Sequence, residues 1–163
     1  MRNLLLRLFV VGFLALTLLA LIGSLLPRKY SIETSISIQS APERVFELVN
    51  SLPNWQQWSS FNESRIEGLK VSFGPIKSGE GAVLAWSEFR GNGKLWITAS
   101  RNPTLVEYQT EFAKFPVAYG RFTFQPSSES TTVVWSSEGS LPGGPFYGFF
   151  RLLAESQLSQ QFA

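Results

Sequence analysis

Glu88, Glu138 and Tyr108 are the groups in this chain best placed to exchange a proton with a bound molecule, two near the ends of predicted strands and one mid-strand. A carboxylate does such work when it is buried beside a polar ligand. Carboxylates are seldom fully buried, so Glu88 and Glu138 read as solvated strand ends and no catalytic residue is assigned. Composition excludes much of the remaining chemistry. The 163 residues include no His, no Cys and no Asp, and the single methionine is Met1. That removes the Ser-His-Asp triad, the thiolate nucleophile, the disulfide and the tetrahedral zinc site of the usual ligands. No metal and no cofactor is expected. Gly74, Gly79 and Gly81 lack a following Gly-Lys-Ser/Thr and open no helix, so they make no phosphate loop. Asn62-Glu63-Ser64 matches a glycosylation sequon, a pattern too frequent to carry an inference.

The residues that suggest binding are aromatic. Alternation puts Val106, Tyr108, Thr110 and Phe112 on one face of a strand and Glu107, Gln109 and Glu111 on the other. In the same way Leu84 aligns with Trp86 and Val133 with Trp135, and Leu95 and Ile97 lie opposite Lys94, Trp96 and Thr98. The inward set is then Trp86, Tyr108, Phe112, Phe122, Phe124 and Trp135. Such residues fill a core or line a pocket for an apolar ligand, and residue type alone does not separate the two. Trp55 and Trp58, three residues apart, fit the buried stripe of a short helix or the mouth of a pocket. The expected ligand contacts are Trp58, Trp86, Tyr108 and Thr110, together with Phe112, Phe122, Trp135 and, from the last segment, Phe150. Trp96 shares the polar face with Lys94 and Thr98, where it is a candidate for touching a partner or a headgroup layer.

Elements to hold these side chains follow from the pattern. Residues 31 to 163 suffice for one domain, with no linker or repeat dividing them. Tyr30 to Ile38 alternates as a half-buried strand. Ser40-Ala41-Pro42-Glu43 reads as a helix start, with Ser40 as N-cap and Pro42 in the first turn, and Val45, Phe46, Leu48 and Val49 give that helix its apolar face. Trp55 to Trp58 makes one or two further turns. Six more strands are predicted: Ile66 to Phe73, Gly81 to Phe89, Gly93 to Ser100, Leu105 to Phe112, Ala118 to Phe124 and Thr131 to Glu138. Gly91-Asn92-Gly93 reads as a hairpin, and Asn102-Pro103 and Pro126-Ser127-Ser128 as turns. Phe146 to Ala163 has helical composition, with Phe146, Phe149, Phe150 and Leu153 on one face. The order describes an α+β plan, a curved antiparallel sheet of about seven strands around a C-terminal helix.

Ahead of this domain, Leu8 to Leu26 is a run of 19 uncharged, mostly apolar residues, about 28 Å as a helix and close to the thickness of a bilayer's hydrocarbon. Its end offers no small-x-small cleavage pair, which favours a retained anchor over a cleaved signal peptide. A seven-residue tail, 1–7, precedes it and residues 27–30 link it to the domain. Basic residues flank the run on both sides, yet a short leader ordinarily stays in the cytoplasm, so the expected orientation puts the domain outside, in the periplasm of a double-membrane bacterium. The formal charge of +2 comes from Arg2 and Arg7, leaving 12 basic residues against 12 Glu from residue 28 onward. No more than two basic residues adjoin, and nucleic-acid binding is not expected.

The stretch Ser40 to Val49, the Asn54-Trp55-Gln56-Gln57-Trp58-Ser59 element, the Gly79-Glu80-Gly81-Ala82 turn and Thr132-Val133-Val134-Trp135 follow one another in an order with a known parallel. Behind an N-terminal anchor, that order resembles the membrane-anchored bacterial branch of the polyketide cyclase/dehydratase and lipid-transport superfamily (SRPBCC, START-like). The resemblance spans residues 30 to 150 and implies a helix-grip fold. It also implies binding of a hydrophobic small molecule or lipid in a cavity between sheet and C-terminal helix. Members of that superfamily usually continue the last helix for several turns, so a truncated helix and a more open cavity, or a fragment, are expected at Ala163. Three readings follow: a non-catalytic binder, which is favoured; a cyclase or dehydratase using Glu or Tyr as acid/base; and a ligandless protein-interaction module at the membrane. The ligand and any protein partner are left open.

Overall fold

The computed structural model describes residues 2–59, 62–89, 91–113 and 115–144. The helix expected over 146–163, and Phe150 with it, lies outside the described residues. Contacts divide the chain into two units, one made of residues up to Tyr30 and from Leu141 onward, the other of Ser31–Ser140.

The first unit holds helix α1, Arg2–Leu25, within which Leu6–Leu25 is long and apolar enough to cross a membrane. It is apolar around its circumference rather than along a stripe, with Phe9 and Leu25 both exposed. Its two hydroxyls return their donors to the helix backbone, Thr17 Oγ1 to the Phe13 carbonyl at 2.9 Å and Ser24 Oγ to that of Leu21 at 2.7 Å. That leaves few polar groups for a lipid environment to leave unsatisfied.

The second unit is built on a seven-stranded sheet: β1 (Lys29–Ile38), β2 (Lys70–Phe73), β3 (Val83–Glu88), β4 (Gly91–Arg101), β5 (Leu105–Phe112), β6 (Ala118–Pro126) and β7 (Thr131–Ser140). The spatial order is β1-β7-β6-β5-β4-β3-β2, and the pairs from β2 through β7 are antiparallel. β1 runs against β7 as well. The Thr131 hydroxyl donates to the Ser40 carbonyl at 2.7 Å at one end, and Leu141 N–H donates to the Arg28 carbonyl at 2.9 Å at the other. A bulge between Ile97 and Ala99 interrupts the β4–β5 register, a device that bends and twists a sheet.

Helix α2 (Pro42–Asn50) buries Val45, Phe46 and Val49 against the sheet's apolar face, and a 3₁₀ turn, Leu52–Asn54, leads to the short helix α3 (Trp55–Trp58). The core joins these residues and Leu52 to Ala82, Leu84, Leu95, Ile97, Val106 and Phe124.

Three local expectations are corrected. Ala41, not Ser40, is the N-cap of α2, and no side chain caps it. Pro42 at the first position, with its fixed φ and missing N–H, starts the helix instead, while the Ser40 carbonyl is taken by Thr131. The strand expected from Ile66 is shorter and begins at Lys70. Asn62, 5% exposed, accepts bonds through Oδ1 from Ser64 N–H, Ser64 Oγ and Arg65 N–H, and this local competitor winds the segment into turns. The sequon's asparagine is thereby enclosed. Finally, Gly91, Asn92 and Gly93 belong to β4, paired with Glu88, Ser87 and Trp86, so they sit beside the hairpin connection rather than in it.

Candidate functional site

Cross-strand register gathers the aromatic side chains. Tyr108 pairs with Gly120 and Phe122 with Trp135, so strands β5, β6 and β7 present Tyr108, Phe122 and Trp135 on one face. Tyr108 and Phe122 stack with ring centres 5.8 Å apart, and Phe122 lies 6.4 Å from Trp135. From the other side come the indoles of α3. Trp55 meets Tyr108 edge-on at 5.4 Å and Phe122 at 5.9 Å, and Trp58 meets Phe122 at 6.2 Å. Each indole is pinned to the end of α2, Trp55 Nε1 donating to the Val49 carbonyl at 2.7 Å and Trp58 Nε1 to that of Leu48 at 3.1 Å.

Within this apolar cluster one polar pair is fixed. Trp135 Nε1 donates to the Tyr108 hydroxyl oxygen at 2.8 Å. Gly120 makes the arrangement possible, since a Cβ there would overlap the Tyr108 ring that lies across it. Gly93 plays the same part for Trp86. Glycine opposite an aromatic residue lets the ring cover the strand backbone.

Of the expected contacts, Trp58, Tyr108, Phe122 and Trp135 therefore meet. Trp86 and Phe112 form a second stack at 6.1 Å, on the same face but nearer the β2 edge, and Phe115 continues it at 6.0 Å from Phe112. Thr110 is half-buried and shares the face of Tyr108, opposite Leu95 and Ala118. Trp55 joins the cluster more fully than the sequence pattern indicated.

Gln56 was not legible as a site residue. With Asn62, Glu63, Ser64, Val71 and Phe73 it lines a hollow of about 370 Å³. Val71 and Phe73 pack against the core and pair with Trp86 and Leu84, so this hollow adjoins the apolar face at its β2 edge. Its rim is polar: Glu63 N–H donates to Gln56 Oε1 at 3.2 Å, and Val71 N–H to Glu63 Oε1 at 2.6 Å. The Gln56 Nε2 group is buried with no hydrogen-bond partner among the described residues. An apolar floor with a few polar groups that fix orientation is what a small-molecule site requires.

The opposite face is polar. Arg121 holds Glu107 through Nη2 at 2.6 Å and Nε at 2.9 Å, and Lys94 pairs with Glu111 at 3.0 Å. Lys94 Nζ also sits 5.0 Å from the Trp96 ring, which is half-buried. A hollow of about 380 Å³ there is lined by Glu107, Gln109, Tyr119, Arg121 and Glu138 among others, a lining that offers an apolar ligand little. Glu138 is exposed on this side, and Glu88 ends β3 half-buried.

A curved antiparallel sheet with an aromatic face and short helices packed on it defines a helix-grip, START-like ligand-binding fold. The chain belongs to the polyketide cyclase / dehydrase and lipid transport family, whose profile matches residues 29–163. Similar solved structures include truncated norcoclaurine synthase from Thalictrum flavum, at 14% identity with a TM-score of 0.60, covering 85% of this chain and 91% of that one. The Mll3558 protein from Rhizobium loti is similar at 15% identity and a TM-score of 0.55, covering 82% and 94%. The Aha1 dimer from Colwellia psychrerythraea is similar at 13% and 0.53, covering 82% and 93%. These likenesses show the fold. No curated protein matches the chain in sequence.

Proposed function

We propose that this protein binds a hydrophobic small molecule or lipid on the aromatic face of its sheet, without reacting with it, while α1 anchors it in a membrane. The observation that carries the reading is the convergence of Trp55, Trp58, Tyr108, Phe122 and Trp135 from four elements around one part-buried polar pair. Rings supply affinity by apolar burial, and the Tyr108 hydroxyl and Gln56 amide orient a ligand carrying an oxygen. The family's description, which names lipid transport, agrees with this reading. The domain would sit on the periplasmic side of a bacterial inner membrane.

Four of the five tryptophans, Trp55, Trp58, Trp86 and Trp135, share the proposed face. Energy transfer from them to a fluorescent polyene fatty acid is therefore a direct readout in the purified full-length chain. Saturable transfer, displaced by unlabelled lipid and reduced in Thr110→Phe, is expected. Transfer that never saturates and ignores Thr110→Phe would show partition into detergent alone.

A further inference from the structure

We propose that the hollow at the β2 edge holds the polar end of the ligand and selects an uncharged hydrogen-bond acceptor, an ester, ketone or amide carbonyl, over a carboxylate. The inference rests on the aromatic face being a ligand site. The hollow measures about 370 Å³, and all of its described lining belongs to the unit Ser31–Ser140. Its distinctive group is the Gln56 amide. Glu63 N–H meets Gln56 Oε1 at 3.2 Å, and because a backbone N–H only donates, the oxygen must stand there and the nitrogen is the atom left over. That Nε2 is buried and meets no acceptor among the described residues. An amide nitrogen carries two donors, and leaving them unmet away from water is costly, so a ligand oxygen arriving there relieves a penalty already present in the empty fold.

The rest of the lining decides the charge of the guest. Asn62 Oδ1 already accepts from Ser64 N–H, Ser64 Oγ and Arg65 N–H, and Asn62 Nδ2 donates to the Ser59 carbonyl at 3.4 Å. Ser64 thus gives its hydroxyl proton to Asn62 and has only lone pairs to offer. Glu63 contributes a carboxylate, held by the Val71 N–H at 2.6 Å from Oε1. No Lys or Arg is among the described lining, and Arg65 and Lys70, next to it in sequence, are both exposed. A ligand carboxylate entering here loses water, meets a like charge at Glu63 and finds one neutral amide in compensation, an arrangement that disfavours an ionised group. A carbonyl needs only the donor that Gln56 holds. Glu63 is exposed, so solvent moderates its repulsion and the preference is a matter of degree. Val71 and Phe73 supply an apolar floor, and Val71 pairs with Trp86, whose stack with Phe112 continues along the apolar face as a route for the hydrocarbon part.

The test is energy transfer from the tryptophans of the purified full-length chain to a polyene fatty acid, to its methyl ester and to diphenylhexatriene, which has no oxygen. In a buffer alkaline enough to ionise the acid, the ester is expected to bind about tenfold more tightly than the acid. Gln56→Leu should weaken the ester about tenfold and leave diphenylhexatriene unchanged, a pattern that a loosened fold does not give. Glu63→Gln keeps an acceptor for Val71 N–H and removes the charge, so it should tighten the acid several-fold and leave the ester as it was. That variant reads the proposal even where Gln56→Leu disturbs folding. The ester is also the more apolar probe, and a preference due to that alone would survive both substitutions, so a ratio of ester to acid that neither variant changes would overturn the proposal. Acid bound as tightly as ester or more so would overturn it too, and saturable diphenylhexatriene binding weakened by Thr110→Phe would then leave the aromatic site standing. Saturable binding of none of the three probes would remove the aromatic site as well.

Discussion

Tyr108 lies across Gly120, and the site depends on that pairing. In Gly120→Ala the new methyl displaces the ring, loosening its bond to Trp135, and overpacking of this kind costs about 1–3 kcal/mol. Chemical denaturation should show that loss, together with a changed near-ultraviolet dichroism from the aromatic cluster; an unchanged spectrum would mean the ring is not held there. Tyr108→Phe removes only the hydroxyl, leaves Trp135 Nε1 without its acceptor, and should lower stability by about 1 kcal/mol. Gln56 behaves differently. Because its Nε2 is buried without a partner among the described residues while its Oε1 accepts from Glu63 N–H, Gln56→Leu trades the loss of that bond against relief of the orphaned amide, and is expected to change the Tm of the ligand-free protein little while weakening binding of an oxygen-bearing ligand about tenfold. Strand alternation was enough to place Tyr108, Phe122 and Trp135 on one face. Gln56 was not legible because its burial depends on the turn that Asn62 organises, a contact between segments that no periodicity reports.

At the scale of elements, α2 is the clamp that closes one side of the face. Phe46 is 4% exposed and meets Phe124 edge-on at 5.5 Å, so Phe46→Ala should cost about 3–5 kcal/mol in equilibrium unfolding. A cost below about 1 kcal/mol would mean that α2 is dispensable to the core, the range of a surface change. The strands were legible because a half-buried sheet writes its faces in every second residue, and β5 came out at Leu105–Phe112 as expected. The errors fell where a local side chain competes with the pattern. Asn62 shortened β2, Pro42 took over from Ser40 in starting α2, and the glycines of the expected hairpin were needed inside β4, where Gly93 admits the Trp86 ring.

For the whole molecule the central question is whether an anchored domain carries a lipid-like ligand. The apolar run was plain in the sequence because a helix exposed on all sides to hydrocarbon needs no periodicity. Leu14→Lys places a charge at its centre, at a cost of about 3 kcal/mol, and should shift the protein from the membrane pellet toward the carbonate-soluble fraction. The ligand was not legible, since rings that fill a core and rings that hold a guest are the same residues. Mass spectrometry of organic extracts decides between them. Full-length protein purified in mild detergent would be compared with a Tyr108→Trp, Thr110→Phe variant whose cooperative unfolding shows it folded. A lipid or apolar metabolite enriched on the unsubstituted protein alone is the expected result, and identical extracts from the two would contradict binding at the aromatic face.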